Sequence, residues 1–65
     1  MKTYYVLLVK YSSNDKWSYA FGDYDKAVVE DEAEDSYSDE YATKIIKTLD
    51  SQVLIDAEIV RLNSL

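Results

Sequence analysis

The first part of the chain carries two apolar segments separated by a turn signal, which predicts a β-hairpin. Residues Thr3–Tyr11 are mostly β-branched or aromatic and have no helix cap, a composition typical of a strand. Ser, Asn and Asp at 12–15 favour a turn. In Lys16–Gly22 every second residue is aromatic, which predicts a second strand that presents its aromatic side chains on one face.

The register of this hairpin decides which residues share a face. With a loop of two or four residues, Tyr11 pairs with Lys16. One face then carries Val6, Leu8 and Lys10 with Trp17, Tyr19 and Phe21, and the other carries Tyr5, Leu7 and Val9 with Ser18, Ala20 and Gly22. A two-layer domain of this length has helix enough to cover one face only. We therefore expect Tyr5, Leu7 and Val9 to be covered by C-terminal residues, tolerated at the surface, or exposed as a contact surface for a partner or a second copy.

A helix is predicted from Asp23 to about Ser36. Asp23 or Asp25 can cap its N-terminus. Its apolar residues fall into two sets, Tyr24, Ala27 and Val28 on one face and Val29, Ala33 and Tyr37 on another. Acidic residues four positions apart repel one another, and acids near the C-terminus oppose the helix dipole. We expect the C-terminal end of this helix to fray.

Residues 38–49 are compatible with two structures. Ser38 as a cap, with acids in the first turn and lysines in the last, favours a helix. Ala42–Leu49 is half β-branched, which favours a strand. We predict the strand, because a two-stranded hairpin alone is marginally stable and this segment is the best third strand.

The last part of the chain predicts a helix that begins after Asp50 or Ser51 and ends near Asn63, with Ile55, Ile59 and Leu62 at helical spacing. The predicted fold is a single α+β domain over residues 1–65, two-layered, in the order β-β-α-β-α. The order β-β-α-α-β is the alternative.

Charge is distributed very unevenly along the chain. Residues 23–40 hold nine of the thirteen acids and one lysine, a net charge of −8, whereas the rest carries four acids and six bases. Excess acid disfavours direct binding to nucleic acid or anionic lipid, because those contacts depend on Lys and Arg. A basic protein is the complementary partner.

The residue types present exclude most catalytic chemistry. The sequence has no His and no Cys, so histidine-activated nucleophiles and thiol catalysis are ruled out. Its single glycine excludes the usual phosphate-binding loops. The acids lack the D-x-D-x-D-G order of a calcium loop. We expect no enzyme activity, no cofactor and no specific metal site.

A chain of 65 residues buries a small core and needs additional stabilisation. A homodimer is one source, and efficient packing of the nine aromatic residues is the other.

The longest apolar run, Tyr4–Val9, is too short to span a membrane and lacks a signal cleavage region. We expect no membrane partner and a cytoplasmic protein, and we interpret the sequence, which starts at Met1 without a tag, as a complete short gene product.

Two segments resemble small uncharacterised proteins of phage and prophage origin. The first is Trp17 followed by Phe21-Gly22-Asp23-Tyr24-Asp25, Val28 or Val29, and Glu32 or Glu34; the second is Lys44–Thr48, Ile55-Asp56-Ala57 and Leu62-Asn63. The resemblance implies a phage-type setting and the strand-then-helix order. It implies no activity or site residue.

Two functional hypotheses follow. In the first, the chain is a non-enzymatic binding module, such as a phage-encoded modulator or nucleic-acid mimic, that docks an acidic face on a basic host protein. The predicted contact residues are the acids Glu30, Asp31, Glu34, Asp35 and Asp39 and the aromatic or apolar residues Tyr5, Leu7, Val9 and Tyr37. In the second, the chain is a structural protein that self-associates through the hairpin face. A solvated acidic face that only maintains solubility is the alternative to the first hypothesis.

Overall fold

The computed structural model describes residues 2–11, 15–37 and 40–65. Its elements are β1 (Thr3–Lys10), β2 (Ser18–Asp23), α1 (Lys26–Glu32) with a π-helical turn (Ala33–Tyr37), β3 (Ala42–Leu49) and α2 (Gln52–Asn63). The α+β class and the order β-β-α-β-α are confirmed.

The three strands form one antiparallel sheet in the order β2-β1-β3. β1 pairs with β3 along its whole length, from Thr3 opposite Leu49 to Lys10 opposite Ala42. As the central strand, β1 is covered on both faces, and its apolar run Val6–Val9 is entirely buried. This position explains why its sequence is apolar at consecutive residues instead of alternating.

The two helices lie on opposite faces of the sheet. Val6 and Leu8 pack with Ile46 and with Ile55 of α2. Leu7 and Val9 pack with Val29 of α1 and Ala33 of the π-helical turn. The layers are therefore helix, sheet and helix, and the expected two-layer arrangement is corrected. Three strands span only about 10 Å, close to the diameter of one helix, so a single short helix can cover each face.

The hairpin face predicted to need a separate cover is the one beneath α1. Leu7 has no exposed surface and Val9 is 8% exposed, while Tyr5 is half-buried at the margin of the same cluster. The hypothesis that Leu7 and Val9 form an open contact surface is wrong, because α1 and the π-helical turn already occupy that face. Self-association through these side chains would require α1 to leave the sheet.

A bulge corrects half of the predicted hairpin register. Leu8 pairs with Tyr19 and Val9 with Ser18 as expected, but the register shifts between Leu7 and Leu8, so that Phe21 lies opposite Leu7. Phe21 consequently packs in the cluster beneath α1. The extra residue in β2 is Ala20, and it allows Trp17 and Phe21 to contribute to different faces.

Gly22 marks a close contact between β2 and two tyrosines. A Cβ at this position would lie 2.6 Å from the Tyr19 hydroxyl and 2.7 Å from Cε2 of Tyr4. The Tyr4 and Tyr19 phenols hydrogen-bond to each other, and this bond, with partial burial, raises the pKa of Tyr4 to about 12. Glycine thus leaves room for a tyrosine pair at this end of the sheet.

Candidate protein-interaction surface

Helix α1 is held in place by side chains from the acidic segment itself. Asp25 is the N-cap, and its carboxylate accepts a hydrogen bond from the backbone N–H of Ala27 at 2.9 Å. The carboxylate of Asp23 accepts one from the backbone N–H of Asp25, also at 2.9 Å. These two acids therefore fix the start of the helix and are engaged in local structure.

The inward side of the helix is the second of the two predicted apolar sets. Val29 and Ala33 are buried against the sheet and Tyr37 is half-buried, whereas Tyr24 and Val28 are exposed. With Val29 and Ala33 anchored, the carboxylates between and beyond them point to solvent. The structure brings together four of the five predicted acids, which we call the acidic surface: Glu30, Asp31, Glu34 and Asp35, all exposed. The fifth, Asp39, lies outside the described residues.

The end of this helical segment differs from the predicted frayed α-helix. Residues Ala33–Tyr37 form a π-helical turn, and the C=O of Tyr37 accepts a hydrogen bond from the backbone N–H of Tyr41 at 3.0 Å. The hydroxyl of Ser36 donates to the carboxylate of Glu32 at 3.0 Å. In a regular α-helix the acids four positions apart would be stacked on successive turns, and the wider π-helical turn changes that relation.

Three of the four acids of the acidic surface do not stabilise the helical segment that carries them. In the part of the chain that the structure describes, Glu30, Asp31 and Asp35 form no ion pair. The last turn of α1 contains no basic residue. Acids at this end oppose the helix dipole. The arrangement therefore costs stability locally.

A row of three tyrosines adjoins the acidic surface. The rings of Tyr37 and Tyr41 meet edge to face with centroids 5.5 Å apart, and those of Tyr41 and Tyr11 meet likewise at 5.7 Å. Tyr11 is 68% exposed. The row ends at an open groove of about 380 Å³ that lies between the end of β1 and the start of β2. Its described lining consists of Val9, Lys10, Tyr11, Asp15, Lys16, Ser18 and Tyr41.

Of the predicted aromatic and apolar contact residues, only Tyr5 and Tyr37 retain partly exposed surface, and only Tyr37 belongs to the tyrosine row. The candidate residues predicted from the sequence did not include Tyr11 or Tyr41, the other two members of the row. The two tyrosines meet because β1 pairs with β3. Lys10 lies opposite Ala42, so the next residues beyond this pair are Tyr11 and Tyr41. That register could not be derived from the hairpin alone.

The opposite face of the sheet carries basic charge near its end. The ammonium of Lys10 lies 4.7 Å and that of Lys44 6.0 Å from the centroid of the Trp17 ring. Trp17 is held by Asn63 of α2, which accepts from its backbone N–H at 2.7 Å and donates to its C=O at 3.1 Å. Two lysines over one indole are a typical cation–π arrangement. Lys10 and Lys44 are thus separated from the acidic surface by the sheet.

The described residues contain no group of three or more acidic side chains arranged to hold a metal ion. Among them there is also no helix with the length and apolar character needed to cross a membrane. Comparison with known proteins finds no family model, no curated protein and no solved structure that matches the chain.

Proposed function

We propose that the chain is a non-enzymatic protein-binding module whose acidic surface docks on a basic surface of a partner protein, with the tyrosine row as its anchor. The observation that carries this proposal is the composition of the α1 face. Buried Val29 and Ala33 fix one side of the helical segment, exposed carboxylates line the other, and the tyrosine row begins at its end.

The two parts of this surface contribute differently to binding. The exposed carboxylates, in a chain of net charge −6, accelerate encounter with a basic partner and make association sensitive to salt. Aromatic side chains at the centre of an interface usually supply most of the affinity. Tyr11 and Tyr41 are suited to this role because the edge-to-face stack holds their rings in place before binding.

The partner surface that best matches these charges is one that normally binds nucleic acid. Residues four apart on an α-helix are separated by about 6 Å along its axis, and one DNA strand carries a phosphate every 3.4 Å or so. From Glu30 to Asp35, of which the second half lies in the π-helical turn, the acidic surface therefore covers about two phosphate spacings along one strand. A phage-encoded modulator that blocks such a groove on a host protein is the specific form of the proposal.

The test is capture of partners from a bacterial lysate, followed by measurement of affinity with the recovered protein. The variant Asp31→Asn/Asp35→Asn should bind at least tenfold more weakly, and its affinity should depend less on salt. The matched control is Asp56→Asn/Glu58→Gln on α2, which changes net charge equally on the opposite face of the sheet and should bind like wild type.

Two outcomes would contradict the proposal. Equal weakening by both double variants would show that net charge, and not this surface, determines binding. Unchanged affinity of Tyr41→Ala would remove the tyrosine row from the interface. Displacement of the bound protein by duplex DNA would support the nucleic-acid-mimic form, and simultaneous binding of both would exclude it.

A further inference from the structure

Helix α2 is apolar on the side that faces away from the sheet as well as on the side that faces it. Ile55 is buried, and Ile59 and Leu62 pack beside it in the core. On the outward side, Val53 is 76% and Val60 is 64% exposed. A surface helix ordinarily places polar residues there. The outward valines therefore indicate a second contact surface, on the opposite side of the molecule from the acidic surface.

The outward residues are spaced as in a coiled-coil seam. Val53, Ala57 and Val60 of the helix and Ser64 at its C-cap follow one another at intervals of four, three and four, and all four are exposed. We call this set the α2 seam. At 100° per residue these positions lie within one narrow stripe opposite Ile55, Ile59 and Leu62. The small side chain of Ala57, in the middle, allows a second helix to approach closely.

We propose that the α2 seam binds the α2 seam of a second copy of this chain, with the two helices parallel across a twofold axis. Charged residues beside the seam favour a second copy as the partner and a parallel orientation of the two helices. Asp56 immediately precedes the seam residue Ala57. In a parallel pair, a residue at this position faces the partner residue five positions further along the chain. Asp56 thus faces Arg61 of the partner subunit, and the twofold axis forms the same ion pair twice.

The local contacts of these two residues leave them able to make this bond. The Asp56 carboxylate accepts a hydrogen bond from the Gln52 side chain at 2.8 Å, and Arg61 pairs with Glu58 of its own helix. All of these groups lie at the surface. A guanidinium has five N–H donors, so Arg61 can hold Glu58 and also reach a carboxylate on the partner. In an antiparallel pair, Asp56 would face Asn63 and Arg61 would face Leu54, without charge pairing.

The seam is short, so the expected dimer is weak. Four side chains from each copy bury less than the roughly 1,200 Å² at which stable complexes begin. We therefore expect a dissociation constant of about 10 µM to 1 mM, in the range of transient association. The self-association is independent of the proposed function, because it uses neither the acidic surface nor the tyrosine row.

The test is sedimentation equilibrium of the purified chain from about 10 µM to 2 mM, spanning the expected dissociation constant. Wild type should shift from monomer to dimer. Asp56→Arg and Arg61→Asp should each shift the dissociation constant upwards by at least tenfold, because each places like charges together. An equimolar mixture of the two variants should dimerise again, since the arginine introduced in one copy then faces the aspartate introduced in the other. Val60→Lys should remain monomeric, and Val28→Lys, which alters an exposed valine on α1, should dimerise like wild type.

Several results would overturn the proposal: a monomer throughout for wild type, a dimer of Val60→Lys, or no recovery in the mixture of two folded charge variants. Circular dichroism establishes folding. If either reversal unfolds the chain, the milder Asp56→Asn and Arg61→Gln replace it, and each must weaken dimerisation for the proposal to stand.

Discussion

Replacing Leu7 with alanine tests the burial of the sheet face that positions the acidic surface. Leu7 has no exposed surface and packs beneath Val29 and Ala33. Truncating a fully buried leucine costs about 2–5 kcal/mol, the loss of apolar contact plus the cavity that remains. A 65-residue domain is stable by roughly 3–10 kcal/mol in total. Leu7→Ala is therefore expected to remove a large part of the free energy of unfolding.

Two leucines provide internal comparisons for this measurement. Leu8 is equally buried but lies on the α2 face, so Leu8→Ala should cost a similar amount. Leu54 is 41% exposed, and Leu54→Ala should cost about 1 kcal/mol or less. Urea unfolding followed by circular dichroism at low protein concentration gives the three values. The same losses should lower the melting temperatures of the two buried variants by roughly 10–30 °C.

A difference in stability loss between the two buried leucine variants would contradict this expectation. If Leu8→Ala is costly but Leu7→Ala is as mild as Leu54→Ala, the face beneath α1 is open. The inward anchoring of Val29 and Ala33 would then be wrong, and with it the outward direction of the carboxylates. The hypothesis of self-association through the hairpin face would regain its basis.

Three further predictions concern single contacts. Asp25→Ala removes the N-cap of α1 and should cost about 1 kcal/mol in urea unfolding; an unchanged midpoint would show that the cap is dispensable. Asn63→Ala removes both hydrogen bonds to the Trp17 backbone, so the free energy of unfolding should fall by about 1–3 kcal/mol. The tryptophan emission should also shift to longer wavelength. An unshifted emission would mean that the lysines alone hold the indole in place. The pKa of Tyr4 is raised from 10.0 to about 12 chiefly by the bond with Tyr19, so the stabilisation is fully present below pH 10 and lost as pH rises through 12, because the unfolded chain deprotonates first. Tyr4→Phe should remove this part of the alkaline loss of stability, and an identical pH profile for the variant would contradict the assignment.

Much of the fold follows from local patterns in the sequence. The β-branched segment before Asp50 and the spacing of Ile55, Ile59 and Leu62 each indicate the correct element, and the need for a third strand resolves their order. The bulge at Ala20 does not follow, because it depends on which face each aromatic residue must reach. The placement of the helices on opposite faces was also missed, although β1 showed that both faces required a cover.

The candidate surface shows the same division between local and long-range information. The outward direction of Glu30 and Asp31 follows from helical spacing once Val29 is taken as the inward residue, and two apolar sets competed for that role. The meeting of Tyr11 with Tyr41 depends on the pairing of two strands far apart in sequence. The stripe on α2 was overlooked because its inward row alone accounted for a helix.

The three-layer arrangement reconciles a strongly acidic chain with association between copies. Two copies together carry a charge of −12, twice the −6 of one chain, which opposes pairing. The acidic surface, however, lies on the outer side of α1, across the sheet from the α2 seam, at a distance of two layer spacings of roughly 10 Å each. At physiological ionic strength charges are screened over about 8 Å. Repulsion between the acidic surfaces of paired copies is therefore small, and the local pairs between Asp56 and Arg61 decide the interaction.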